Sequence, residues 1–111
     1  MDSYEIWVDL APGATDVELV AALRDYLDHF RTQGKLEAYR LRRRKFGFGP
    51  EGLGEFIVTL DFRDLAQLDE GFGVAATRTG EVESLHRAVY SRVSNFRSGL
   101  YRDFPDPQRK A

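Results

Sequence analysis

Three arginines, Arg40, Arg42 and Arg44, occupy every second position of the run YRLRRR. On a strand all three would leave the same face, because successive residues point to opposite sides. A planar guanidinium grips a carboxylate or phosphate through two parallel hydrogen bonds, so the triplet is a candidate anion site. The plainer use of these charges is pairing with Glu55 or Asp61 of the neighbouring run EFIVTLDF. His86 is the histidine placed for acid–base work. It follows Leu85 on a helical repeat, shares a side with Tyr90, and belongs to the residue type whose charge changes near neutrality. No acid at a fixed spacing stands out as its orienting partner, and a half-buried helix histidine bonded to backbone or solvent is the plainer reading. Trp7 and Tyr101 each carry a large apolar body with one polar handle, which suits a flat ligand or a partner surface. His29, at the surface-facing end of a first helix, and the carboxylates Glu5 and Asp9 are weaker candidates.

The totals remove whole classes of chemistry. The 111 residues contain no cysteine and only two histidines, so thiol nucleophiles, disulfides and nitrogen–sulfur zinc sites are not expected, and no metal or other cofactor is assigned. The serines lack a histidine at any triad motif, and the glycines between Gly47 and Gly54 lack the lysine followed by serine or threonine of a phosphate loop. A net charge of -2 and a pI near 5.7 argue against the broad attraction that nucleic-acid binders use. No run approaches a membrane span, and the opening MDSYEIWVDL has neither the basic end nor the apolar stretch of a secretory signal, so a cytoplasmic protein is expected.

The elements that must position these side chains follow from periodicity. Tyr4, Ile6, Val8 and Leu10 alternate with Glu5, Trp7 and Asp9, which reads as a half-buried strand. Thr15 with Glu18 makes a capping box, and Leu19, Leu23, Leu27 and Phe30 recur at helical spacing until Gly34. Alternation returns from Leu36 to about Phe46 and again from Glu55 to Phe62, around a glycine-rich turn. Asp64 with Gln67 caps a second helix that Gly71, Gly73 and Gly80 break, and its second half, Glu81 to Val93, places Val82, Leu85, Val89 and Val93 on one face. Phe96 to Phe104 is the expected closing strand. The order is βαββαβ, an α+β ferredoxin-like sandwich in which a four-stranded antiparallel sheet carries its helices on one face. Residues 1–104 form one domain and 105–111 a polar tail.

RNA-recognition domains share this topology, and the aromatic and glycine rhythm of KFGFGPEGLGEFIVTLDF, with IWVDL in the first strand, is close to their signature. Parity decides against base stacking. If Phe56, Val58 and Leu60 face the core, then Leu53, Glu55, Ile57 and Thr59 are the third-strand residues on the exposed face, none of them aromatic and one acidic. Nucleic acid is therefore not expected as a partner.

The sheet face away from the helices presents Glu5, Trp7 and Asp9; Arg40, Arg42 and Arg44; Glu55, Ile57, Thr59 and Asp61; and Arg97 and Tyr101. Trp7 and Ile57 at its centre argue for a contact rather than a solvated surface. YEIWVDL followed by APG, YRLRRRKFGFGP, LGEF, DLAQLDEGF and LYRDFPD resemble a bacterial family of small proteins without an established activity, in the dimeric α/β-barrel superfamily. The resemblance spans nearly the whole chain and implies a homodimer whose facing sheets enclose a chamber. More distantly, the architecture is similar to antibiotic-biosynthesis-type monooxygenases. The expected function is binding of a small organic molecule, anionic or aromatic, between the sheets by Trp7, Arg40, Arg42, Arg44, Glu55, Thr59, Arg97 and Tyr101. Were it an enzyme, cofactor-independent oxygenation or isomerisation with His86, Arg42 and Tyr101 would suit the analogy. The alternatives are an assembly module without catalysis and, behind it, RNA binding.

Overall fold

The structure, a computed structural model, describes residues 1–106; most of the expected polar tail, 107–111, lies outside the described residues. Strand β1 (Asp2–Leu10) is followed by helix α1 (Asp16–Thr32), strands β2 (Ala38–Arg43) and β3 (Phe56–Phe62), helices α2 (Leu65–Ala76) and α3 (Gly80–Tyr90), and strand β4 (Val93–Arg102). The sheet has the order β2-β3-β1-β4 with every neighbouring pair antiparallel. This is the ferredoxin-like arrangement, with the helices layered on one face.

α1 forms where its caps and its apolar stripe agree. The Thr15 hydroxyl accepts the Glu18 amide (3.2 Å) and donates to the Glu18 carboxylate (2.7 Å), closing the capping box. Asp16 and Glu18 in the first turn and His29 and Arg31 in the last complement the helix dipole. Leu19, Leu23, Leu27 and Phe30 are buried against Val8, Phe56, Val58, Leu60 and Phe62 of the sheet, the main apolar core. At its end the chain reverses through Gly34 at φ +73, a conformation that glycine adopts without a Cβ clash.

Asp64 caps α2 by accepting the Gln67 amide (2.9 Å), and Gln67 does more than complete a box. Its side-chain oxygen accepts the Arg63 amide (2.7 Å), and its side-chain nitrogen donates to the Gly34 carbonyl and the Glu37 carboxylate (2.9 Å each). At 1 % exposure it ties the start of α2 to the end of α1 and the entry of β2.

Three boundaries differ from the periodicity. β2 is shorter than Leu36 to Phe46. The Arg44 amide still reaches the Glu55 carbonyl (2.7 Å), but Phe46 (φ 56) and Gly47 (φ 71) then turn the chain out of the sheet. α3 stops at Tyr90, and Val93, expected on the helix, opens β4 instead by pairing with Leu10. A valine fits either period, and the partner strand decides between them. The break between the helices comes at Thr77 to Thr79, with Arg78 at φ 54 and Gly80 at φ 68 on the turn.

The glycine-rich connection 45–54 is held at its base. The Arg44 guanidinium donates to the carbonyls of Pro50 (3.2 Å) and Leu53 (2.9 Å), and Asn95, left-handed at φ 52 where the β1–β4 register shifts, donates to the Gly52 carbonyl (3.3 Å). Phe46 and Phe48 stand in solvent beyond these anchors, each 82 % exposed. No helix among the described residues is long and apolar enough to cross a membrane.

Candidate functional site

The open sheet face shows the expected parity. Three rows run across all four strands: Arg42, Ile57, Trp7 and Arg97; then Arg40, Thr59, Glu5 and Gly99; then Ala38, Asp61, Ser3 and Tyr101. The first two rows are bonded to each other. Arg42 donates to the Thr59 hydroxyl (3.0 Å), which donates to the Glu5 carboxylate (2.7 Å), and Thr59 is buried between them. Beside it Ser3 donates to Asp61 (2.6 Å). Tyr101 lies over Gly99, where a Cβ would come within 3.0 Å of its ring.

Several expected members leave this face. Glu55 turns to the sheet edge and pairs with Arg43 (3.1 Å), which also binds Asp16 (3.0 Å), so it partners none of Arg40, Arg42 and Arg44. Arg44 is consumed by the carbonyls of the glycine-rich connection. Asp9 accepts the Glu55 amide (2.9 Å) and the Asn95 side chain (3.1 Å), and the amide bond foremost holds its carboxyl below the usual carboxylate range. It is a structural acceptor. Parity failed for Glu55 and Arg44 because both stand at strand ends, where the pleat no longer constrains direction.

His86, Arg42 and Tyr101 do not converge. Arg42 and Tyr101 lie on opposite edge strands, roughly 14 Å apart across the strands and roughly 13 Å along them at ordinary strand dimensions. His86 is on the other side of the sheet, in the helical layer. There the subunit has its own cavity, of about 370 Å³, between sheet and helices rather than on the open face. Its floor is Ile6, Val8 and Val58, and Tyr4, Tyr26, Phe30, Phe72 and Phe96 supply aromatic walls. α1 packs on α3, α2 lies against α3 and β3, and the opening lies between these helices and the sheet. Gly71 of α2 is buried there, and a Cβ on it would meet the Lys35 carbonyl at 3.2 Å.

The polar groups of the cavity gather around His86. Its ring stacks on Tyr26 (5.1 Å between centroids, 9° between planes) and meets Tyr90 edge-on at 5.1 Å. Nδ1 is buried without a hydrogen-bond partner among the described residues and faces Glu83 Oε2, likewise unpartnered, across 3.8 Å. The other Glu83 oxygen accepts the Tyr90 hydroxyl (3.1 Å), which fixes the carboxylate behind the imidazole. Burial pushes the His86 pKa below its usual value and outweighs the opposing pull of Glu83, with the Arg78 charge adding to the depression. His86 is therefore neutral near pH 7, and a carboxylate at Nδ1 favours the tautomer with the proton there and a lone pair on Nε2. Burial, then the Glu83 charge, pushes the Tyr26 hydroxyl up to about 12, so Tyr26 stays a neutral phenol.

Glu83 was legible in principle, since a residue three positions before His86 on a helix shares its side. Tyr26 could not be paired with His86 from sequence, because they meet only through α1–α3 packing. Among the described residues no group of three or more His, Asp or Glu is placed to hold a metal ion.

A family model covers residues 1–111. The chain belongs to the family of unknown function DUF6614. Among curated proteins none matches it. Similar solved structures share the fold at low identity. A variant of SnoaB, a cofactor-independent oxygenase from Streptomyces nogalater, superposes with a TM-score of 0.72 at 8% identity, covering 97% of each chain. A dimeric ferredoxin-like protein of unknown function from Jannaschia sp. CCS1 gives 0.68 at 10% identity over 92% of this chain and 98% of that one. An antibiotic biosynthesis monooxygenase gives 0.61 at 19% identity over 95% of this chain and all of the other.

Proposed function

We propose that this DUF6614 member takes a flat, largely apolar small molecule into the helix-side cavity and removes an acidic proton from it with neutral His86, oriented by Glu83. The observation that carries the reading is that His86, on the wall of an aromatic-lined cavity, has its buried Nδ1 facing Glu83 across 3.8 Å behind that wall. A carboxylate behind an imidazole is the arrangement that makes histidine a directed base. Proton removal from a carbon or oxygen acid opens both cofactor-independent oxygenation, in which the resulting anion gives electrons to dioxygen, and isomerisation by reprotonation elsewhere. Two of the similar folds are described as an oxygenase and a monooxygenase, which agrees with the first. This moves the chamber expected between two sheets to the other side of the sheet.

Fluorescence titration with 2-naphthol tests the cavity. Ala75 lines it from α2, and Ala75→Phe fills part of it. The variant is expected to weaken 2-naphthol binding at least about tenfold, a loss of 1.4 kcal/mol, with its unfolding midpoint near that of the native chain. Equal affinity in the two proteins would place the ligand elsewhere.

The open face is assigned to self-association. Ile57 and Trp7, opposite each other at the centre of the sheet, are both only partly buried in the subunit, and one similar fold is described as dimeric. Ile57→Asp sets a charge in what would be the dry centre of the interface and is expected to give a folded monomer by sedimentation. A native chain that sediments as a monomer would remove this assignment.

A further inference from the structure

The cavity wall carries charge of one sign only. Its ionic lining residues are Lys35, beside Gly71, and Arg78, beside Tyr90, while every other lining residue except His86 is apolar, aromatic or glycine. Arg78 stands on the turn between α2 and α3 in the left-handed region, φ 54, which L-residues seldom adopt. From there its guanidinium reaches back to the cavity, 6.0 Å from the centre of the Tyr90 ring. Among the described residues no carboxylate pairs with it. Glu83, the buried acid of α3, engages Tyr90 (3.1 Å), His86 (3.8 Å) and Arg87 (4.0 Å). The Arg78 charge is nevertheless felt inside, where it works against the protonated form of His86 and favours the ionised form of Tyr26.

We propose that Arg78 anchors an anionic substituent of the cavity's ligand, which makes the preferred ligand an aromatic acid: a planar apolar body bearing a carboxylate. The proposal rests on the cavity reading above and names its substrate class. A guanidinium at the rim of an apolar cavity pairs with a carboxylate while the ring system replaces water against Tyr4, Phe30 and Phe72. Anchoring at Arg78 also places the neighbouring ring positions on the side of His86 and Tyr26, so a hydroxyl or acidic C–H adjacent to the carboxylate-bearing carbon lies toward the base. The arginines of the open face, which the sequence offered as a candidate anion site, are on the far side of the sheet from this pocket.

Paired titrations with 2-naphthoate and its methyl ester test the assignment on the native chain, Arg78→Gln, Arg78→Lys and, as a control at an exposed α1 position outside the cavity lining, Arg24→Gln. The native chain is expected to prefer the acid over the ester by about tenfold, in the range of one charge-assisted hydrogen bond. Arg78→Gln removes the preference by weakening the acid and leaving the ester unchanged; Arg78→Lys restores part of it, and Arg24→Gln changes neither. A preference that survives in Arg78→Gln, or native binding of acid and ester alike, overturns the anchor while leaving the cavity reading intact. Failure of both probes to bind the native chain overturns the two together. Thermal unfolding of each variant separates these outcomes from a loss of fold.

Discussion

Gly54→Ala is expected to cost about 3 kcal/mol or more of stability, a large share of what a domain of this size possesses. Gly54 is buried where the chain enters β3 and crosses the backbone of β1, and a Cβ there would overlap the backbone of Val8 itself. No side chain can rotate away to make room. Relief requires moving β1, which lies between β3 and β4 and carries the cavity floor residues Ile6 and Val8. The same movement would disturb the Asp9 carboxylate that receives the Glu55 amide one residue later. Gly73→Ala supplies the contrast. It lies in α2 with nothing within 4 Å of where its Cβ would stand, so the added methyl is expected to stabilise by about 0.4 to 1 kcal/mol through the unfolded chain. Urea unfolding of both variants checks the pair, and a Gly54→Ala protein with the native midpoint would show that β3 does not enter the sheet across Val8.

His86→Ala is expected to slow protein-catalysed deuterium exchange at the C1 position of 2-tetralone, a flat carbon acid, by about 10²- to 10⁴-fold, the usual contribution of a positioned base. The pH profile carries the assignment further than the rate. A base acts in its unprotonated form, so exchange rises as pH increases through the His86 pKa and levels above it. Burial, the largest influence on that pKa, places the rise below the ordinary histidine value. The Glu83 charge opposes this by raising the pKa, so Glu83→Gln should move the rise to still lower pH and lower the plateau, as a weaker base requires. Proton NMR of the C1 signal measures both. An unchanged profile in Glu83→Gln, or full exchange in His86→Ala, would mean that a different group takes the proton.

How far the sequence alone reaches is visible in particular residues. The alternation of Tyr4, Ile6, Val8 and Leu10, the Thr15 and Asp64 caps and the stripe of Leu19, Leu23, Leu27 and Phe30 are local signals, and each produced the element it predicts. Parity also placed Trp7, Arg42, Thr59 and Arg97 on one face, because a strand leaves a side chain only two directions. It misplaced Glu55 and Arg44 at strand ends, and Val93 at a helix-to-strand boundary, where the pattern is satisfied by either answer.

Local periodicity thus determined the βαββαβ order and which residues share a surface, since both depend on neighbours a few positions away. The location of the cavity was settled only by packing: α1 lies against α3, Gly71 of α2 lies against the Lys35 carbonyl and the Phe62 ring, and the void is left between the helices and the sheet. The same packing sets Tyr26 of α1 against His86 of α3, sixty positions later in the chain, and leaves Arg42 on the opposite face. Distances of this kind arise from how layers meet, and no repeat within one element encodes them.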